Sequence, residues 1–180
     1  SAGENIDAGV TFSESCVVQG NPDYTYVPDN NFEQALIDLE YDDTLDDFVL
    51  TSSISGVTGN LNVSSKSISD LTGIEGFTQL EVLNCSNNQL TSLDVSVNTA
   101  LEWLYCFRNQ ISSIDLSANT ALTKIHSDHN QLTSMNVSNN TALTELSLMG
   151  NELTTLDVSA HTALTYFRCN GNQLTYLNMR

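Results

Sequence analysis

Residues 80–96 read LEVLNCSNNQLTSLDVS, and residues 143–159 read LTELSLMGNELTTLDVS. The leucine that opens this pattern recurs as Leu80, Leu101, Leu122, Leu143 and Leu164, every 21 residues without a slip. Each opens the pattern L-x-x-L-x-L/C-x-x-N-x-L-x-x-L-x-V/L, which is clearest in the two copies quoted and admits other residues at single positions elsewhere. A chance pattern does not hold phase over five copies, so the period decides the architecture. A degenerate copy runs from Thr58, where Leu61, Val63, Ile68, Leu71 and Ile74 keep the register and Lys66 stands at the asparagine position.

Within each copy, positions 4 and 6 alternate with polar neighbours, which predicts a short strand with its apolar side inward. One copy cannot bury that side alone, but stacked copies build a continuous core. The expected fold is therefore an α/β solenoid, a leucine-rich-repeat horseshoe with a parallel concave sheet. Asn88, Asn109, Asn130, Asn151 and Asn172 fall in a column where each strand turns, and their amides can bond the backbone of adjoining coils. The second half of each copy, such as LTSLDVS, alternates again and is expected to return the chain as an outer strand. The NTAL links at Asn98, Asn119 and Asn140 supply the next turn.

Residues 58–180 are assigned to these repeats, with a C-terminal truncation expected because Arg180 stands in mid-copy. Residues 24–57 are expected to form a helical N-terminal cap. Pro28-Asp29-Asn30-Asn31 precedes Phe32, Leu36, Ile37 and Leu39 at helical spacing, with Asp29 or Asn30 as N-cap. Residues 1–23 show no periodicity and read as a tail or linker.

The chain carries 5 basic and 22 acidic residues, a net charge of −17. Nucleic acid and anionic membranes would be repelled by that balance and are not expected as partners. No apolar run is long enough to span a bilayer, so no membrane insertion is expected. The four cysteines, Cys16, Cys85, Cys106 and Cys169, match neither a zinc pattern nor a dense disulfide framework. Three of them occupy the inward position 6, where they read as small core residues. Asp42, Asp43, Asp46 and Asp47 lack the spacing of a calcium loop and read as a solvated acidic face.

Three segments together resemble bacterial secreted leucine-rich-repeat proteins of the internalin-like group. They are VPDNNFEQALIDLEYDDTLDDFVLT (27–51), ISDLTGIEGFTQLEVLNCSNNQLTSLDVS (68–96) and the NTAL-linked copies. The resemblance covers residues 24–180, although the copies here are one residue shorter than is usual in that group. It implies a cap-plus-repeat arrangement, a secreted or bacterial cell-surface location, and recognition of a partner through the concave face.

Positions 3, 5 and 7 of each strand are expected to point onto that face. They give the rows Val82, Asn84, Ser86; Trp103, Tyr105, Phe107; Lys124, His126, Asp128; Glu145, Ser147, Met149; and Tyr166, Arg168, Asn170. Arg108 and His129 stand at the rim. The chain's single tryptophan thus shares a strand with Tyr105 and Phe107. Exposed aromatics among polar groups suit protein hot spots and sugar-stacking platforms, whereas the bland reading is cross-strand stabilisation. Lys124 and Glu145 are expected to pair across adjacent strands. The expected ligand-binding set is Trp103, Tyr105, Phe107, Arg108, Lys124, His126, Asp128, Glu145, Tyr166 and Arg168. His126, Asp128 and Glu145 sit on an open sheet with no deep pocket, so neither catalysis nor a metal is expected, and no cofactor. The chain reads as a monomeric recognition module for a protein or polysaccharide. The rival reading is a structural spacer or surface-coat domain with no ligand of its own.

Overall fold

The computed structural model describes residues 23–179. Cys16 and almost all of the expected tail therefore lie outside the described residues. In chain order the elements are β1 (Tyr24–Tyr26), α1 (Asn30–Asp38), β2 (Phe48–Leu50), α2 (Thr51–Ile54), β3 (Asn60–Asn62), a 3-10 turn (Ile74–Gly76), β4 (Val82–Asn84), β5 (Trp103–Tyr105), β6 (Lys124–His126), β7 (Glu145–Ser147), β8 (Thr155–Asp157), β9 (Tyr166–Arg168) and β10 (Tyr176–Asn178). Six of the strands form one parallel sheet in the order β3-β4-β5-β6-β7-β9. Its register matches repeat position to repeat position: Val82 faces Trp103, Trp103 faces Lys124, Lys124 faces Glu145 and Glu145 faces Tyr166.

The core is one column per repeat position. Leu83, Leu104, Ile125 and Leu146 are fully buried, as are Leu80, Leu101, Leu122 and Leu143. Cys85, Cys106, Ser127 and Leu148 line the position 6 column, also buried. Leu61, Val63, Ile68, Leu71 and Ile74 extend the same columns through the degenerate copy. Burial falls at the far end, where Leu164, Phe167 and Cys169 are only half-buried against the core. Among the described residues no further coil stacks on them.

Two ladders of buried side chains tie coil to coil. Asn88 Nδ2 donates to Val63 O in the previous coil (2.9 Å) and to Cys85 O in its own (3.0 Å), while its Oδ1 accepts from Ile68 N. Asn109, Asn130, Asn151 and Asn172 repeat the arrangement. Buried backbone carbonyls need such partners, because an unpaired one costs the full desolvation of the group. The second ladder was read from the sequence only as a turn. Asn98, Asn119 and Asn140 are fully buried, and Asn119 Nδ2 donates to Val95 O and Asn98 O. His161 takes the fourth place, its Nε2 3.0 Å from Val137 O.

The expected outer strands are mostly absent. Among the described residues only β8 and β10 pair on the return side, Thr155 opposite Tyr176. A parallel ladder needs strands ~4.8 Å apart, and among the described residues the other returns form no such ladder. The N-terminal segment is likewise mixed, not wholly helical. Alongside α1 and the four-residue α2 it has an antiparallel pair, β1 with β2, in which Tyr24 faces Leu50 and Tyr26 faces Phe48. Asp29 is the N-cap, its Oδ1 accepting from Asn31 N and Phe32 N. Its other oxygen accepts from Ser69 N, Ser69 Oγ and Asp70 N, so one carboxylate both starts the helix and binds it to the first coil. Leu39, read as part of the helical spacing, is the C-cap and is exposed.

Candidate ligand-binding face

The site is built by the period of two within each strand and by the register between strands. Leu104, Ile125 and Leu146 turn inward, so their neighbours at positions 3 and 5 turn to the concave side. Position 3 then reads Trp103, Lys124, Glu145, Tyr166 across four adjacent strands. Lys124 Nζ lies 4.5 Å from the centroid of the Trp103 ring and 2.9 Å from Glu145 Oε1. The hydrogen bond from Lys124 holds the Glu145 carboxyl below its usual range, and the same bond holds the Lys124 ammonium above its own. Because both groups are part-exposed, the pair adds little to stability; its effect is to fix both side chains.

Position 5 carries the second line of contacts. The Tyr105 and His126 rings meet edge-on with centroids 5.2 Å apart, and His126 stacks on Tyr166 at 5.8 Å and 25°. His126 Nε2 lies 3.3 Å from Glu145 Oε2, a close approach that is not aligned as a hydrogen bond. Arg168 donates to Tyr166 Oη at 3.2 Å and reaches Met149 Sδ at 3.0 Å. Trp103, Tyr105, Lys124, His126, Glu145, Tyr166 and Arg168 thus form one continuous strip. Its ends are the most open, with Trp103 36% and Tyr166 39% exposed.

The other expected site residues stand apart. Phe107 is half-buried and Arg108 is exposed at the rim. Asp128 is engaged internally: its Oδ1 accepts from Ser147 Oγ at 2.6 Å and from Met149 N at 2.7 Å. Ser147 and Ser86, expected to be presented on this face, are buried. Their short side chains bond to Asp128 and Asn84 and stay below the level of longer neighbours. No sequence period signals that exchange: for Ser147 it depends on the side chain presented by the adjacent coil, and for Ser86 on a short side chain bonding back within its own coil.

Position 8 sets the rim. Asn87, Arg108, His129, Gly150 and Gly171 all have positive φ, between 53° and 73°. Glycine is the expected residue there, and a Cβ at Gly150 would displace the His129 ring, whose Nδ1 it would meet at 2.7 Å. Arg108 and His129 therefore hold a costly backbone conformation at the edge of the strip.

Among the described residues no group of three or more His, Cys, Asp or Glu side chains is arranged to hold a metal ion. The described cysteines, Cys85, Cys106 and Cys169, are free thiols. No described helix is long and apolar enough to cross a membrane. The arrangement offers aromatic faces, a fixed ion pair and a guanidinium on an open surface, which is chemistry for binding by stacking and hydrogen bonding.

No protein-family profile and no curated protein matches the chain. Solved structures do. The functional domain of InlJ from Listeria monocytogenes, described as including a cysteine ladder, is similar at 33% identity and a TM-score of 0.75, over 87% of this chain and 38% of its own. The internalin InlF from Listeria monocytogenes shares the fold at 21% identity and a TM-score of 0.56, over 86% of this chain and 63% of its own. The leucine-rich-repeat ectodomain of the receptor kinase SOBIR1 from Arabidopsis thaliana is 26% identical with a TM-score of 0.54, over 63% of this chain and 69% of its own. The chain thus spans less than two thirds of the length of either internalin structure.

Proposed function

The chain is an internalin-like leucine-rich-repeat protein, and from that premise we propose that it is a recognition module, not an enzyme, whose concave face binds a protein or polysaccharide ligand. The observation that carries this reading is the continuous strip from Trp103 through Lys124, His126 and Glu145 to Tyr166 and Arg168. Its side chains already hold one another in place, so little rotamer freedom is lost when a ligand arrives. A location outside the cell, secreted or on a bacterial surface, belongs to the same reading and is supported by the internalin likeness. With −17 on the chain, an acidic polymer meets long-range repulsion, so a neutral or modestly basic ligand is favoured.

The test is to probe protein and glycan arrays with this chain and with Trp103→Ala/Tyr105→Ala, then to measure affinity by calorimetry. Trp103→Ala is expected to weaken binding by about 2 kcal/mol or more. Thr154→Ala, on the exposed return side, is expected to leave affinity unchanged. If Thr154→Ala were the damaging substitution, the convex surface would be the working face.

A further inference from the structure

A second surface, remote in sequence from the concave strip, combines exposed aromatics with a cluster of acids. On the β1–β2 pair, Val49 is buried and its partner Thr25 bonds Thr51 at the start of α2, so Tyr24, Tyr26, Phe48 and Leu50 lie on the other side. Tyr24 is 44% and Tyr26 47% exposed, and the Tyr26 and Phe48 rings sit 5.4 Å apart. The solvent side of an antiparallel pair ordinarily carries polar residues. Here all four are large and apolar or aromatic, and an exposed patch of that kind marks an interaction site.

Beside this patch opens a groove of about 440 Å³. Tyr24 and Phe48 line it together with Glu40, Asp42, Asp43 and Asp46, and no Lys, Arg or His does. Burial pushes the Asp42 carboxyl up, and the charges of Asp46 and Asp43 add to the effect. Like charges crowded beside aromatic faces are relieved by a cation, which the carboxylates pair and the rings attract.

We propose that this patch and groove form a second binding site, for an extended basic segment of a partner protein that carries Arg or Lys between apolar residues. Charge decides among occupants. Residues 1–22 contain Glu4, Asp7 and Glu14 and no Lys or Arg, so the chain's own N-terminal segment lacks the side-chain cations that would complement the carboxylates. A second copy brings the same carboxylates on a molecule of −17 and is repelled. A basic segment is attracted at long range, and its apolar residues cover the ring faces.

The test is calorimetric titration of the full chain, at physiological salt, with a short synthetic peptide alternating arginine and leucine, and with its glutamate counterpart. The arginine peptide binds and the glutamate peptide does not. Glu40→Gln/Asp43→Asn, which changes exposed groups without changing shape, weakens binding about tenfold or more. Glu102→Gln/Glu152→Gln removes the same charge elsewhere and leaves binding unchanged, as does Trp103→Ala. Tyr24→Ser weakens binding while the chain stays folded by circular dichroism. Absence of binding overturns the proposal, as does equal loss in the two double variants, which would mean diffuse attraction to the net charge. Loss in Trp103→Ala would move the peptide to the concave face. Tighter binding after removal of residues 1–22, or self-association abolished by Tyr24→Ser, would give the groove a different occupant.

Discussion

Arg108 and His129 show what the rim costs the backbone. Both sit at φ near 54°, where the repeats that follow use Gly150 and Gly171. A left-handed conformation costs a non-glycine residue roughly 1–2 kcal/mol, and glycine gives back ~0.4–1 kcal/mol through greater freedom of the unfolded chain. Arg108→Gly is therefore expected to raise stability by about 0.5–1 kcal/mol in urea denaturation, while lowering affinity if Arg108 touches the ligand. An unchanged affinity would confine the concave site to the strip proper. The cysteines give a second residue-scale outcome. Burial pushes the Cys85 thiol well up and Cys106 to about 11, whereas Cys169 is raised only from a half-buried position. In native protein with Cys16→Ser, a thiol reagent is expected to modify Cys169 first and to reach Cys85 and Cys106 only on unfolding. Rapid labelling of Cys106 would show that position 6 does not face the core.

At the scale of elements, α1 and its N-cap hold two buried carboxylates, Asp29 and Glu33, with opposite pH behaviour. Burial alone would raise the Asp29 carboxyl, but the hydrogen bonds from Ser69, Phe32 and Asp70 outweigh it and hold it below its usual value. Its contribution is present above the unfolded pKa of about 3.9 and is lost as pH falls through the lower folded value. Glu33 is fully buried, and burial raises its carboxyl despite the amides of Asp46 and Phe48 on Oε1. Its folded state favours the neutral form, so it stabilises at low pH and that contribution is lost as pH rises through the folded value. Glu33→Gln keeps the acceptor and removes the charge. The variant is expected to melt above wild type at pH 7, and the two curves to converge below the ordinary glutamate value of 4.5. A lower Tm at pH 7 would mean that the charge is satisfied in the fold. The Asp29 cap was legible because an N-cap is a local signal. Glu33 was not, because its acceptor role depends on a loop that folds back 13 and 15 residues later. The β1–β2 pair escaped notice for another reason: a three-residue strand outside the repeat has too few alternations to register as a pattern.

At the scale of the whole molecule, the repeat made the sheet legible because every coil meets the same environment. One period places Leu104, Ile125 and Leu146 in the core, and the same register sets Lys124 beside Glu145. What the period leaves out is the pairing of β8 with β10 alone among the described returns, and identity in the next coil, which draws Asp128 to Ser147. In such a stack each coil touches only its neighbours, so stability is close to a sum of coil and interface terms. Leu146 is fully buried, with Ile125 opposite it on β6 and Phe167 on β9. Leu146→Ala removes side-chain contacts to both and leaves a cavity, an expected cost of about 2–5 kcal/mol in denaturant unfolding. Hydrogen exchange separates local from global loss. Protection should fall most in β6, β7 and β9 and least in α1, which is fastened to the first coil through Asp29. Equal loss everywhere would mean that cap and coils unfold as one unit, and an unchanged melting temperature would show that position 4 does not face the core.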